Sequence, residues 1–175
     1  MERGEELIEQ YKAIHAKKDY GRSSEILIGI IQKHIYALPE VRSILDFGCG
    51  RSRLVDWLGK IHDAQIYRYD PAIPAFSEMP VDEVDLVICT DVMEHIPEED
   101  IDRIIRRIRG LSKNAYFNIS CRVADEVLPN GENAHCSVHP HGWWLRRVKK
   151  FFPDTGRTRA FDRDDVSLIT WANRS

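Results

Sequence analysis

The sequence predicts an α/β fold: a three-layer α/β/α sandwich built on a mainly parallel sheet that ends in a C-terminal antiparallel hairpin. Three observations predict it. Short unbroken apolar runs at Ile44–Phe47, Val84–Cys89 and Ala115–Ile119 have the length of strands buried on both faces. Segments with apolar residues at helical spacing stand between them. Two strand-like runs end in an acid beside a turn, Asp46-Phe47-Gly48-Cys49-Gly50 and Tyr69-Asp70-Pro71, the arrangement of a ligand site at the carboxyl edge of a parallel sheet.

In chain order, Leu7, Ile8, Tyr11 and Ile14 mark a helix over residues 5–18. A break at 19–24 follows, and Ser23 or Ser24 is placed to cap a helix from about Glu25 to Tyr36, which Pro39 ends. Ile44–Phe47 is the first strand, Arg53–Lys60 a helix with Leu54, Trp57 and Leu58 on one face, and Ile66–Tyr69 the second strand. Residues 71–80 hold Pro71, Pro74 and Pro80 and read as a loop. Val84–Cys89 is the next strand. Ile101, Ile104, Ile105 and Ile108 lie one helical face apart, with Glu98, Glu99 and Asp100 in the first turn and Gly110 as the expected stop. Ala115–Ile119 is a strand, residues 122–141 a polar connection, and Trp143–Phe152 a helix stopped by Pro153. Thr158–Phe161 and Val166–Trp171 form the predicted hairpin, turned at 162–165.

A length of 175 residues fits one domain with its own core. The formal charge of −3 exerts no general pull on nucleic acid or an anionic membrane. No apolar run approaches a bilayer span, and the polar start Met1–Glu6 is unlike a secretory signal. Cys49, Cys89, Cys121 and Cys136 lack paired spacing and read as reduced thiols, so a cytoplasmic location is expected.

The glycine turn implies a nucleoside-containing cofactor. A dinucleotide fingerprint would need a third glycine at position 53, where Arg53 fits poorly against a pyrophosphate, and this disfavours NAD. The run Asp46–Gly50 resembles the first motif of class I S-adenosylmethionine-dependent methyltransferases, Tyr69-Asp70-Pro71 their second, and Asp85–Ile96 their D-L-V-x-x-x-x-V-L-E-H segment. The resemblance covers residues 40–120 well. The whole chain also resembles small bacterial and phage-type methyltransferase chains, in which a segment like Leu128–His135 and paired tryptophans follow the fifth strand.

That resemblance implies a Rossmann-like fold with S-adenosylmethionine as cofactor. It divides the chain into N-terminal helices (1–40), a cofactor-binding core (41–120) and an acceptor-side loop, helix and hairpin (121–175). Gly48, Cys49 and Gly50 would lie under the methionine portion, and Asp46 would order the turn or reach the amino group through water. Asp70, next to Pro71, would accept the ribose hydroxyls; Thr90, Asp91 and Val92 would flank the methyl end. Tyr20 and Gly21 would belong to an N-terminal cover. His95 is a candidate general base, or a hydrogen-bonded histidine that fixes the loop before Pro97; His135 is a second candidate on the acceptor side. The run His135, Cys136, His139 and His141 has zinc-ligand residue types but no second ligand pair nearby, so it is expected to roof the acceptor pocket and no metal is expected. One of Trp143 and Trp144 should pack into the sheet, and the other is placed to line the pocket. Arg103, Arg106, Arg107 and Arg109 read as a solvated helix face, as do Arg146, Arg147, Lys149 and Lys150.

Two departures from the family pattern stand out. Ser52 occupies the third glycine of the turn. The stretch from Asp70 to Val84 is too short and proline-rich for the usual third strand, so that strand is expected to be short or missing, with Ala72, Ile73 or Phe76 facing adenine. The acceptor is expected to be a small molecule or glycan-like. DNA base methylation is disfavoured, because Cys89-Thr90-Asp91-Val92 replaces the amino-methylase pattern. The alternatives are a non-catalytic module of the same fold with a degenerate adenine pocket, and an NAD enzyme.

Overall fold

A computed structural model describes residues 3–17 and 23–172. Six strands form one sheet: β1 (Ser43–Phe47), β2 (Gln65–Tyr69), β3 (Leu86–Thr90), β4 (Ala115–Ser120), β5 (Gly156–Thr158) and β6 (Asp165–Ile169). Their order is β2-β1-β3-β4-β6-β5. The first four strands are parallel, and β6 runs antiparallel to both β4 and β5. The Rossmann-like prediction therefore holds, including the terminal hairpin. No strand forms between Asp70 and Leu86 among the described residues. A single 3-10 turn at Pro74–Phe76 fills that stretch, and β2 is left at the sheet edge.

Five α-helices accompany the sheet: α1 (Arg3–Lys17), α2 (Ile28–Ile35), α3 (Leu54–His62), α4 (Glu98–Leu111) and α5 (His141–Lys149). Successive strand residues point to opposite faces, so each central strand feeds two cores. Ile44, Leu86 and Ile88 pack with Ile31 of α2 and Leu58 of α3. Leu45, Val87 and Phe117 pack with Ile105 of α4 and Trp144 of α5 on the other side. The helix α1 joins neither layer. Leu7 and Ile14 pack with Leu128 and Ala134 of the long connection after β4. No helix of the described residues is long and apolar enough to cross a membrane.

Several boundaries differ from expectation. The helix expected at Glu25–Tyr36 begins as a 3-10 turn, Ser23–Leu27, and becomes α-helical only at Ile28. Ser24 does not cap it; its hydroxyl donates to Ser52 Oγ at 2.8 Å, tying this segment to the glycine turn. Gly110 does not stop α4, which runs one residue further to Leu111. The stop is Ser112, which turns extended and donates its hydroxyl to Asp85 O at 3.0 Å. The hairpin strands are shorter than expected because pairing begins at Gly156↔Ile169 and ends at Thr158↔Ser167, leaving 159–164 as the connection.

Two substitutions on α4 separate packing from propensity. Ile105 is fully buried, so Ile105→Ala should lower unfolding free energy by about 2–5 kcal/mol in urea titrations. A Cβ at Gly110 meets nothing within 4 Å, and Gly110→Ala should raise it by about 0.5 kcal/mol in the same assay.

Candidate active site

The turn after β1 is drawn over the end of β2. The N–H groups of Gly48 and Cys49 both donate to Tyr69 O, at 2.7 and 3.2 Å. Gly48 has φ +77°, and a Cβ there would lie 2.3 Å from Val92 Cγ2. Only glycine satisfies both conditions. Asp70 Oδ2 accepts the Gly50 N–H and its Oδ1 accepts the Ala72 N–H, each at 2.9 Å. The carboxylate is thereby locked in one orientation, and each oxygen keeps a further lone pair. Ser52 occupies the third glycine position as a helix-start residue: its hydroxyl accepts the N–H of Leu54, the first residue of α3, at 3.0 Å.

These strand ends open into a cavity of about 1030 Å³. Gly48, Gly50, Asp70 and Pro71 line one side, and Thr90, Asp91 and Val92 the other. Asp91 sits in the left-handed region at φ 55°. Its N–H donates to Asn118 O at 2.9 Å, and its carboxylate accepts Asn118 Nδ2 at 3.0 Å. Asn118 is held in turn by the Ser167 hydroxyl at 2.7 Å. The cavity is roofed by Leu7, Ile8 and Tyr11 of α1.

His95 and His135 both reach this cavity, their ring centroids 4.9 Å apart. Nδ1 of His95 is 2.8 Å from Ala134 O and 2.9 Å from Tyr11 Oη, and the Tyr11 hydroxyl donates to the same carbonyl at 2.6 Å. Nδ1 of His135 is 2.6 Å from Arg122 O. A carbonyl only accepts, so both rings carry a proton on Nδ1 and, when neutral, the lone pair on Nε2. Glu94 precedes His95 and is fully buried. One oxygen accepts the Ser120 N–H at 3.0 Å; Oε2 is buried without a hydrogen-bond partner. Burial, reinforced by the Asp91 charge, pushes its carboxyl well above the usual range.

Other expected residues fall elsewhere. Asp46 lies within β1 and does not line the cavity; its Oδ2 is buried without a partner. Burial pushes its pKa up to about 7, against the pull of Arg68. Cys49 is buried behind the turn and contributes only backbone, and burial pushes its thiol up. Tyr20 and Gly21 lie outside the described residues. Of the adenine-side candidates, Ala72 lines the cavity and Ile73 and Phe76 do not.

The His135–His141 run does not come together as a ligand set. His139 stacks on Trp143 with centroids 3.8 Å apart and lies 3.1 Å from Glu98, while His141 lies 3.0 Å from Arg157. Trp144 packs into the sheet as expected, but Trp143 is held by His139 and lines no part of the cavity. The arginine face of α4 is not wholly solvated: Arg107 reaches the cavity wall and donates to Tyr69 Oη at 3.0 Å. Arg147 of α5 and Lys150 just after it pair with Asp102. Sequence reading missed Tyr11, because a tyrosine at helical apolar spacing looks like core, and did not separate Glu94 from its motif.

A glycine turn beside an immobilised carboxylate, at the carboxyl edge of a parallel sheet, is the arrangement at which Rossmann-like folds in general bind nucleoside cofactors. Residues 21–161 match the methyltransferase domain family, and the chain belongs to it. Solved structures agree in fold. An O-methyltransferase family protein from Burkholderia thailandensis superposes with a TM-score of 0.65 at 14% identity, over 91% of this chain and 58% of that one. This chain thus spans little more than half of that relative. The 1,6-didemethyltoxoflavin-N1-methyltransferase of Burkholderia thailandensis, solved with 1,6-didemethyltoxoflavin and S-adenosylhomocysteine, gives 0.64 at 12% identity, over 97% and 89%. Magnesium protoporphyrin IX methyltransferase from Synechocystis, solved with S-adenosylhomocysteine, gives 0.57 at 16% identity, over 83% and 81%. A sequence search of curated proteins finds no match.

Two variants test the turn and the acid behind it. Gly48→Ala forces a side chain into Val92 at positive φ and should cost roughly 1–3 kcal/mol in thermal unfolding. Asp46 binds its proton more tightly folded than unfolded, so its ionisation penalty is absent below about pH 4 and grows as pH rises through about 7. Urea midpoints of the wild type should therefore fall relative to Asp46→Asn across that window.

Proposed function

We propose that this chain binds S-adenosylmethionine in the cavity at the carboxyl edge of its sheet and transfers the methyl group to a small-molecule or glycan-like acceptor. The observation that carries the reading is the pairing of the Gly48–Gly50 turn with the locked Asp70 carboxylate in a member of the methyltransferase domain family. The residues present fit that cofactor. The absence of a side chain at Gly48 leaves the backbone open to close approach. Asp70 is 7% exposed and aimed into the cavity, with lone pairs remaining for the two ribose hydroxyls. Asp46, buried in β1 and outside the cavity lining, does not touch the ligand.

Bound S-adenosylmethionine supplies an electrophilic methyl group on a sulfonium. The chain's own residues bind, orient and exclude water. Thr90 and Asp91 line the cavity together with Asp70 and the two histidines. His95 and His135 line the cavity, and with Nδ1 of each engaged by a backbone carbonyl the neutral rings carry their lone pair on Nε2, the nitrogen that would receive a proton. The volume favours a small acceptor: ligand pockets run to about 300–1,000 Å³, so about 1030 Å³ holds the cofactor and one modest partner.

Calorimetric titration with S-adenosylmethionine, S-adenosylhomocysteine and NAD tests this. Saturable binding of the first two is expected, weakened about tenfold or more in Asp70→Ala, with circular dichroism confirming that the variant is folded. Heat from NAD alone would overturn the reading. Heat from none of the three would favour a non-catalytic module, for which the strandless stretch after Asp70 is the structural argument.

A further inference from the structure

We propose that Glu94, His95 and His135 bind a divalent first-row transition ion at the acceptor end of the cavity. One ligand atom from each lies within 4.8 Å of the other two, close enough for a single ion to bridge all three. Glu94 and His95 come from the 3-10 turn Met93–His95 after β3; His135 comes from the connection after β4, 40 positions further along. Residues so distant in sequence meet on one wall of the cavity.

Two further observations point to a ligand. Glu94 lines the cavity and is fully buried, yet its Oε2 has no hydrogen-bond partner, while Oε1 is spent on the Ser120 N–H. A native protein rarely leaves a buried carboxylate oxygen unsatisfied unless something binds there. Both histidines donate Nδ1–H to backbone carbonyls, of Ala134 and Arg122. That is the outer arrangement of metal-ligating histidines: it fixes the ring, fixes the tautomer and presents Nε2.

Two imidazoles and one carboxylate suit manganese, iron, cobalt or zinc rather than magnesium or calcium, which prefer all-oxygen sites. Three protein ligands leave coordination positions open toward the cavity. Those positions would take a hydroxyl or carboxylate oxygen of the acceptor. This role rests on the proposed methyl transfer; the ion site itself does not.

The test uses the full chain after chelator treatment, with no cofactor or acceptor, titrated with Co²⁺ and followed by visible absorption and calorimetry. One equivalent should saturate the wild type. Glu94→Gln keeps an acceptor for Ser120 and should weaken Co²⁺ binding at least about tenfold, as should His135→Ala, while His141→Ala should leave it unchanged. No saturable uptake, uptake indifferent to Glu94→Gln and His135→Ala, or uptake lost in His141→Ala overturns the site. Mg²⁺ competing at equal concentration overturns the choice of ion class. S-adenosylhomocysteine titration of the same metal-free protein reports separately on the methyltransferase reading, so Co²⁺ uptake without nucleoside binding would fail that reading and leave the site standing.

Discussion

One carboxylate holds the cofactor side of this molecule together. Asp70 ends β2, yet it accepts an N–H from Gly50, beyond the end of β1, and another from Ala72 in its own loop. Two strand ends and the following loop are thus set by one side chain. The turn it grips has little alternative geometry, since Val92 occupies the space a Cβ at Gly48 would need. Val92 belongs to the segment after β3, so three neighbouring strand ends are mutually constrained. A cavity wall built this way is pre-organised, which lowers the ordering cost of binding.

The other end of the cavity is held differently. Its roof is α1 packed on the connection after β4, through the small cluster of Leu7, Ile14, Leu128 and Ala134. The Tyr11 hydroxyl, His95 Nδ1 and Ala134 O meet within 2.6–2.9 Å and join roof to floor. This cluster is small beside the two cores that flank the sheet.

Two buried carboxyls oppose stability. Asp46 and Glu94 each keep an oxygen without a partner, and burial raises the pKa of both. Such groups are destabilising on their own account. Asp46 lies within β1, outside the cavity lining; Glu94 lines the cavity and lies within ligand distance of His95 and His135. Ser52 shows the opposite case: where a third glycine was expected, a hydroxyl starts α3 and receives Ser24, so the turn is anchored rather than loosened.

What the sequence by itself determined is local. Apolar runs and their alternation located the strands, the isoleucine face of α4 located that helix, and Gly48, Gly50 and Asp70 marked the strand ends, because each signal depends on residues a few positions apart. The missing third strand was legible too, in the prolines between Pro71 and Pro80. Tertiary structure alone decided which of these residues face one another. It turned Asp46 and Cys49 away from the cavity, brought Arg107 to Tyr69, drew His139 onto Trp143, and set His135 beside Glu94 and His95. Tyr11 and Ala134 are 123 positions apart, and no periodicity encodes their contact. It exists because α1, left over from the two helical layers, buries its apolar face on the loop that carries His135.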